Sequence, residues 1–443
     1  MRPYNYSQMT NEKSYKQRMY LDPIHGPIQL NLNDPTDNLL GKIIDTKEFQ
    51  RLRRIRQMGL GWFTFHGAEH TRFGHSIGTL FIAKKMISHL SNNFPEINAF
   101  KTKLLVSALI HDIGHGPFSH TSEKLINRSH EFWTKKIIGG NTEINTLLKS
   151  HEQNLASDVI EILEHKTTNL YLSQIISSYI DCDRLDYLHR DSYYVGVPYG
   201  LTGSDRIIFS LEIDKESKKL VIKESSGLDA VIHYLQARYS MYQQVYQHKK
   251  NLACDFLLKK IVHCIRTVKP KNISSSFLKW INAKDPDDID SYLQIDDSIF
   301  MATIFSFMND PASNKILNDL SSRFINRKLF KSIEFRHGIS TDMKNEVLEK
   351  LKIKTKEKGL DYNYYVGFEE SALRPYEPYF SNDSKDGKGI FIKQQSGVIK
   401  ELSQVSGLIK ALSQENIIKT CLIYSPELED EINSIAGFHE IFK

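Results

Sequence analysis

The sequence predicts a mainly α protein: a helical core over residues 1–267, a linker at 268–290 and a smaller α+β lobe at 291–443. Three observations carry this. Helical periodicity runs almost unbroken to Thr267, interrupted by only three Pro/Gly-bearing breaks. Proline, serine and like charges then cluster in VKPKNISSSF and AKDPDDID. Beyond them strand-like and helix-like segments alternate. The composition, 40% hydrophobic and 25% charged over 443 residues, excludes collagen-like, disordered and membrane-embedded classes. No apolar run reaches the roughly 20 residues that span a bilayer. The polar, tyrosine-rich start has no secretory h-region, so the expectation is a cytoplasmic protein with no membrane partner. Cys182, Cys254, Cys264 and Cys421 are scattered without a CxxC pair, so neither a disulfide framework nor a cysteine zinc site is indicated. The net charge of +5 suits an anionic ligand without requiring one.

The elements follow in chain order. Residues 1–18 read as an extension, and DPIHGPIQL (Asp22 to Leu30) as a hairpin or strand before a helix beginning near Asp45. RLRRIR (Arg51 to Arg56) interleaves Leu52 and Ile55 with arginines as an amphipathic helix face, with solvation and phosphate binding as its two alternatives. TRFGHSIGT presents His75 among small residues that allow close helix approach. In LLVSALIHDIGHGPFSH, Leu104, Leu105, Ala108 and Leu109 make one helical face that continues to His111, Asp112 and His115. Gly114, Gly116 and Pro117 end that helix, leaving His111 and Asp112 where unpaired carbonyls favour a cation. Three histidines and an aspartate within ten residues on a buried stripe need partners, which makes a metal site the reading over isolated core histidines. SSYIDCDRLDYLHRDSYY puts Asp183, Tyr187 and Asp191 on one face, with Asp186 off it as a structural ion pair. In the lobe, FRHGIS, YNYYVGF, GKGIFIK and KTCLIYS read as strands, TDMKNEVLEKLKIKTKEK and VIKELSQVSGLIKALSQ as helices, and DSKDGKG as a turn.

These segments together resemble a known family. His75, His111-Asp112 and Asp183 match the H…HD…D signature of the HD phosphohydrolase superfamily. DPIHGPIQL, DTKEFQRLRRIRQMG, RFGHSIG, HDIGHGPFSH, DCDRLDYLHRD and YQHK occur in the order found in HD-domain deoxynucleoside triphosphate triphosphohydrolases, over roughly residues 19–250 and without a counterpart of the vertebrate SAM domain. The resemblance implies a helical HD-domain catalytic core. It also implies a divalent metal on His75, His111, Asp112 and Asp183, for which Fe, Mn, Co and Zn all suit the donors, with Mg possible on the nucleotide phosphates.

By the same resemblance His115, His120, Glu123 and His130 stand beside the scissile phosphate. His130-Glu131 is chosen over His151-Glu152 because FWTKKII supplies the helix that follows it in bacterial relatives. Arg72, Arg184, Arg238 and Lys249 are implied to hold a triphosphate, Gln57 and Met58 to lie beside sugar and base, and Tyr187 and Asp191 to crowd the 2′ position and bind the 3′-hydroxyl. Tyr246 and Gln247 complete that pocket from a helix over Val231 to Lys250, while Asp45, Arg53 and Arg206 match positions for a regulatory nucleotide. The implied activity is hydrolysis of dNTPs, dGTP among them, to deoxynucleoside and triphosphate by a nucleotide-regulated homo-oligomer, a tetramer by resemblance. Two alternatives stay open: an HD phosphohydrolase or nuclease acting on another nucleotide or a 3′ end, and a nucleotide-sensing module in phage defence. Nucleic-acid binding is undecided.

Overall fold

The computed structural model describes residues 16–271, 273–282, 288–310, 314–378, 389–415 and 417–443. Residues 1–15 of the expected extension, residues 272 and 283–287 of the linker, and 383–388 of the DSKDGKG turn lie outside the described residues. The architecture is mainly α, with an α+β lobe toward the C-terminus. No described helix is long and apolar enough to cross a membrane.

The chain enters through an antiparallel hairpin, β1 (Gln17–Asp22) and β2 (Gly26–Asn31), with Asp22 opposite Gly26. Asp22 Oδ1 accepts the amides of Ile24 and His25 at 2.9 and 3.0 Å, closing the turn with a side chain in place of a backbone acceptor. Helix α1 (Pro35–Asp45) starts on the Asp34 cap with proline in its first turn, so Asp45 ends a helix where the sequence suggested a beginning. Thr46 then caps α2 (Lys47–Arg51), which tightens into a 3-10 turn at Leu52–Arg54. The RLRRIR segment is therefore not one amphipathic helix. Arg51, Leu52 and Ile55 are buried while Arg53 and Arg54 face out.

Three helices form the centre: α3 (Arg72–Ser91), α4 (Lys101–Ile110) and, further along the chain, the helix Cys182–Val195. Between the last two come α5 (His120–Ile126), α6 (His130–Gly139), α7 (Glu143–His151), α8 (Leu155–Leu163) and α9 (Leu170–Ile176), which makes Cys182–Val195 α10. Every residue of α4 from Leu104 to Ile110 is buried, not only the face that periodicity marks, because helices pack on it from all sides. Gly78 allows α3 to meet α10: a Cβ there would lie 2.0 Å from Asp186 Oδ1.

Next come α11 (Ser204–Ser210), β3 (Leu211–Ile213), β4 (Leu220–Lys223), α12 (Glu224–Met241), a π-helical turn at Tyr242–Tyr246 and α13 (Lys249–Val268). The β3–β4 pair corrects the nearly all-helical expectation for the first part of the chain.

The C-terminal part contains α14 (Ser275–Asn282), α15 (Ile289–Leu293), α16 (Asp297–Met308), α17 (Lys315–Ile325), β5 (Lys331–Glu334) and α18 (Thr341–Glu357). YNYYVGF opens as a helical turn, α19 (Tyr362–Tyr365), before β6 (Val366–Leu373). FRHGIS is not a strand: β5 precedes it, and Phe335 makes only an isolated bridge to Phe442. VIKELSQVSGLIKALSQ, expected as one helix, is preceded by β7 (Phe391–Lys393) and divides into β8 (Ile399–Glu401), α20 (Leu402–Val405) and α21 (Gly407–Gln414). The divisions fall at Glu401, which forms a capping box, and at Ser406, which caps α21. The last strand, β9 (Ile417–Tyr424), lies between β5 and β6 in an antiparallel sheet.

Residues beyond the linker do not form one separate body. β7 runs parallel to β4, pairing Ile392 with Ile222, and Tyr376, Ile390, Leu402 and Ile409 join the same hydrophobic core as α3 and α4. A second core packs α13, α14, α16 and α17 around Phe118 and Trp133, and a third underlies the β5–β9–β6 sheet.

Candidate active site

The HDIGHGPFSH segment leaves the end of α4 and runs between the first two cores: Ile113 is buried in one and Phe118 in the other. Gly114 is where the loop touches α6, since a Cβ would fall 2.2 Å from the His130 carbonyl oxygen and the Thr134 amide. Phe118 and Ser119 adopt positive φ values of 57° and 55°, a conformation that costs a non-glycine residue about 1–3 kcal/mol. The loop lines a cavity of about 740 Å³ together with α10, the π-helical turn after α12 and the turn after Arg56.

At one end of this cavity α3, the end of α4 and the start of α10 bring His75, His111, Asp112 and Asp183 together. Asp183 Oδ1 lies 3.0 Å from His75 Nε2 and 3.5 Å from His111 Nε2, and the Asp112 oxygens lie 3.4 Å from each ring. The outer nitrogens are occupied. His75 Nδ1 bonds Asp186 Oδ2 at 2.7 Å, and His111 Nδ1 donates to the Ala108 carbonyl at 2.9 Å. Those bonds leave Nε2 of both rings buried, without a hydrogen-bond partner and aimed at the carboxylates. Two imidazoles fixed on their outer sides and facing two carboxylates fit a divalent cation, and His75, His111 and Asp183 lie close enough together to hold one.

Burial opposes charging of His75, yet Asp112, Asp183 and Asp186 outweigh it and hold its pKa well above the ordinary value. His111 is raised in the same way against its burial, chiefly by Asp112 and then Asp183. Against burial, the close His111 and His75 imidazoles keep the Asp183 carboxyl below the usual carboxylate range.

The second group centres on Glu123. Its Oε1 lies 2.7 Å from His120 Nδ1, 2.9 Å from His130 Nδ1 and 3.9 Å from His115 Nδ1. The His115 and His130 rings stack at 3.9 Å. Despite burial, the hydrogen bonds from His120 and His130 depress Glu123 to about 2. His115 moves the other way from His75: burial, the Arg72 guanidinium and His130 hold it well below the normal histidine value. Asp112 joins the two groups, with Oδ1 3.3 Å from His115 Nε2 and Oδ2 paired to Arg72. His151 sits exposed at the end of α7, away from the cavity.

Along the cavity wall α10 presents Asp183, Arg184, Tyr187 and Asp191. Asp191 is held from two sides, by His70 Nε2 at 2.7 Å and by the Tyr246 hydroxyl at 2.7 Å. Gln57, Met58, Arg72, His111, Asp112, His115, His120, His130 and Tyr246 also line the cavity, whereas His75 and Glu123 stand behind the lining. Three expected contact residues do not reach it. Arg238 is buried one layer back, bonded to the Pro375 carbonyl and lying 4.8 Å over the Tyr242 ring. Gln247 is buried beyond the π-helical turn, and Lys249 is exposed as the first residue of α13.

The positions matched to a regulatory nucleotide are all exposed. Asp45 pairs with Arg18 at 2.9 Å beside a shallow depression lined by Lys42, Lys47 and Glu143. Arg53 lies 3.5 Å over the Phe73 ring, outside that depression, and Arg206 is on α11.

Sequence reasoning missed several residues at the site. Asp186 does pair with Arg190, as expected of a structural ion pair, but it also bonds His75 and, at 2.6 Å, His25 Nε2. Its spacing, three residues after a ligand candidate on a helix, was the available signal. His70, Tyr242, Asn251 and Asp255 carried none, since they reach the site only through tertiary packing.

A family model described as HD domain matches residues 72–191. The uncharacterised protein YwfO of Bacillus subtilis is 36% identical over 404 residues, covering 89% of both chains. The deoxynucleoside triphosphate triphosphohydrolase SAMHD1 of Homo sapiens is 27% identical over 71% of this chain and 53% of its own, so the chain spans about half the length of that relative. A crystal structure of a phosphohydrolase from Bacteroides thetaiotaomicron superposes with a TM-score of 0.78 at 29% identity, covering 92% of this chain and all of that one. Because the matched span opens on Arg72 and closes on Asp191, two side chains of the cavity itself, the likeness falls on the site as well as the scaffold: the chain belongs to the HD-domain family, homologous to SAMHD1 and to YwfO.

Proposed function

We propose that this HD-domain protein is a dNTP triphosphohydrolase that releases a deoxynucleoside and inorganic triphosphate, with dGTP among its substrates. One observation carries the reading: Asp183, Tyr187 and Asp191 stand one helical turn apart along the cavity wall, joining a metal-fitting end to a ring and a doubly held carboxylate. A nucleotide laid along that row has its phosphates beside His75, His111, Asp112 and Asp183, and its sugar against Tyr187 and Asp191. A divalent cation held there, Fe, Mn, Co or Zn, supplies Lewis acidity toward a phosphoryl oxygen and an attacking water.

The chain's own residues do the rest. Arg72 and Arg184 neutralise the phosphates, with Arg238 backing them through Tyr242. His120, whose Nδ1 is engaged by Glu123, delivers a proton from Nε2 to the departing 5′-oxygen. His130 shares the same carboxylate and fixes its direction. Asp191 accepts the 3′-hydroxyl, while the Tyr187 ring fills the space that a 2′-hydroxyl needs.

Regulation belongs to the same reading: a nucleotide effector at the Asp45 side of a homo-oligomer, in a cytoplasmic enzyme serving nucleotide balance or phage defence. The test is product chromatography with metal-loaded protein and each dNTP and NTP, singly and mixed. Triphosphate release from dNTPs, with NTPs poorer substrates, supports the proposal. Equal turnover of dNTP and NTP, or release of pyrophosphate or orthophosphate, overturns it in favour of another nucleotide phosphohydrolase.

A further inference from the structure

The loop carrying His115 and His120 is anchored by a part of the chain that lies outside residues 72–191. The Tyr292 hydroxyl donates to the Gly114 carbonyl at 2.7 Å. Arg51 bridges the carbonyls of His115 and Ile295 at 2.7 and 2.8 Å. The buried Asp297 carboxylate accepts the Phe118 amide at 2.8 Å and the Arg56 amide at 3.0 Å. Three residues along the same helix, Phe300 packs its ring 5.3 Å from that of Phe118. Thus α16 grips Phe118 by its amide and by its side chain, at the first of two consecutive non-glycine residues with positive φ.

Such a conformation persists only where the surroundings over-determine it. Its consequence reaches the reacting end of the cavity. Ser119 Oγ donates to the Arg56 carbonyl at 2.6 Å and accepts Arg72 Nε at 2.9 Å, and Arg72 in turn holds Asp112. His120 is the next residue after Ser119 and the first of α5.

We propose that Asp297, supported by Tyr292, is a positioning residue of this active site: it locks the Phe118–Ser119 kink and thereby sets the direction of His120 and Arg72. The two residues touch no substrate; they act through the loop. The inference rests on this cavity being the reactive site and not on which nucleotide enters it.

The test uses the full-length, metal-loaded protein. Asp297→Asn keeps shape and one acceptor but turns an amide toward the Arg56 N–H, and Tyr292→Phe removes only the hydroxyl. Hydrogen exchange across residues 112–120 should rise about tenfold or more in Asp297→Asn, while exchange in α7 stays unchanged. In the same variant kcat should fall about 10- to 100-fold, with KM and metal content within about twofold, the pattern of misaligned groups rather than lost binding. Tyr292→Phe should move the same readouts in the same directions by a smaller factor, and it carries the test alone if Asp297→Asn does not fold. Unchanged exchange in 112–120, or a rise spread evenly over the chain, overturns the proposal. If the wild type hydrolyses no dNTP, the nucleotide reading fails, and the exchange result still decides this one.

Discussion

His75 and His115 are both buried, and each has its Nε2 within 3.4 Å of an Asp112 oxygen, yet their imidazoles are driven in opposite directions. Full burial lowers a histidine pKa by up to about 3–5 units, or about 4–7 kcal/mol. A unit charge pair about 4 Å apart recovers about 4 kcal/mol at an effective dielectric near 20. One carboxylate therefore roughly balances burial, and the three around His75 override it. Around His115 the Asp112 charge is already shared with Arg72, the Glu123 carboxylate is taken up by His120 and His130, and Arg72 and His130 add repulsion, so burial prevails. The same residue type thus becomes a place for a cation in one group and a neutral ring in the other. The deciding difference is the count of acids against bases within one shell.

The comparison can be broken most severely at the metal-fitting group. Asp183→Ala should lose bound metal and turnover together, because it removes the oxygen shared between two histidine nitrogens; a variant with full metal content by elemental analysis and a normal rate would contradict the ligand assignment. In the Glu123 group the two properties should separate. His120→Ala should keep its metal while single-turnover hydrolysis drops about 10²- to 10⁴-fold, the range for a positioned acid, and an unchanged rate would exclude that role. His130→Ala should slow turnover by about 10²-fold, whereas His151→Ala, exposed on α7, should leave it unaltered; the reverse order would move the assignment to the other His-Glu pair.

Smaller effects sharpen the contrast. Asp186→Asn should weaken metal affinity about 10- to 100-fold, as loss of an outer partner of a ligating histidine does, and chelator competition measures it. Raised pKa values leave His75 and His111 protonated in the metal-free protein up to a pH above the ordinary histidine range. Metal binding at neutral pH should therefore release protons, and affinity should climb as pH rises through that range; calorimetry in buffers of different ionisation enthalpy counts them. Glu123, depressed to about 2, stays ionised throughout and adds no step.

Much of this was legible along the chain because the chemistry is local. The apolar run ending in His111-Asp112 and the one-turn spacing of Asp183, Tyr187 and Asp191 are properties of single segments, and a helix turns such spacing into a face wherever it packs. The HD signature, the mainly α class and the prominence of His75, His115, His120 and His130 all come from such segments. Partners that arrive from distant segments had no such signal. Which side of Asp183 the Asp186 carboxylate would serve depended on how closely α10 could approach α3 at Gly78. That His70 would hold Asp191, and that Lys249 would miss the cavity, depended on packing and on the π-helical turn before α13. The C-terminal segments show the same limit, since VIKELSQVSGLIKALSQ broke at its caps and β7 joined the first core through pairing with β4. Sequence by itself determined which side chains could do the chemistry. Tertiary structure decided which of them meet and in what charge state, because burial and the number of neighbouring charges are sums over residues far apart in the chain.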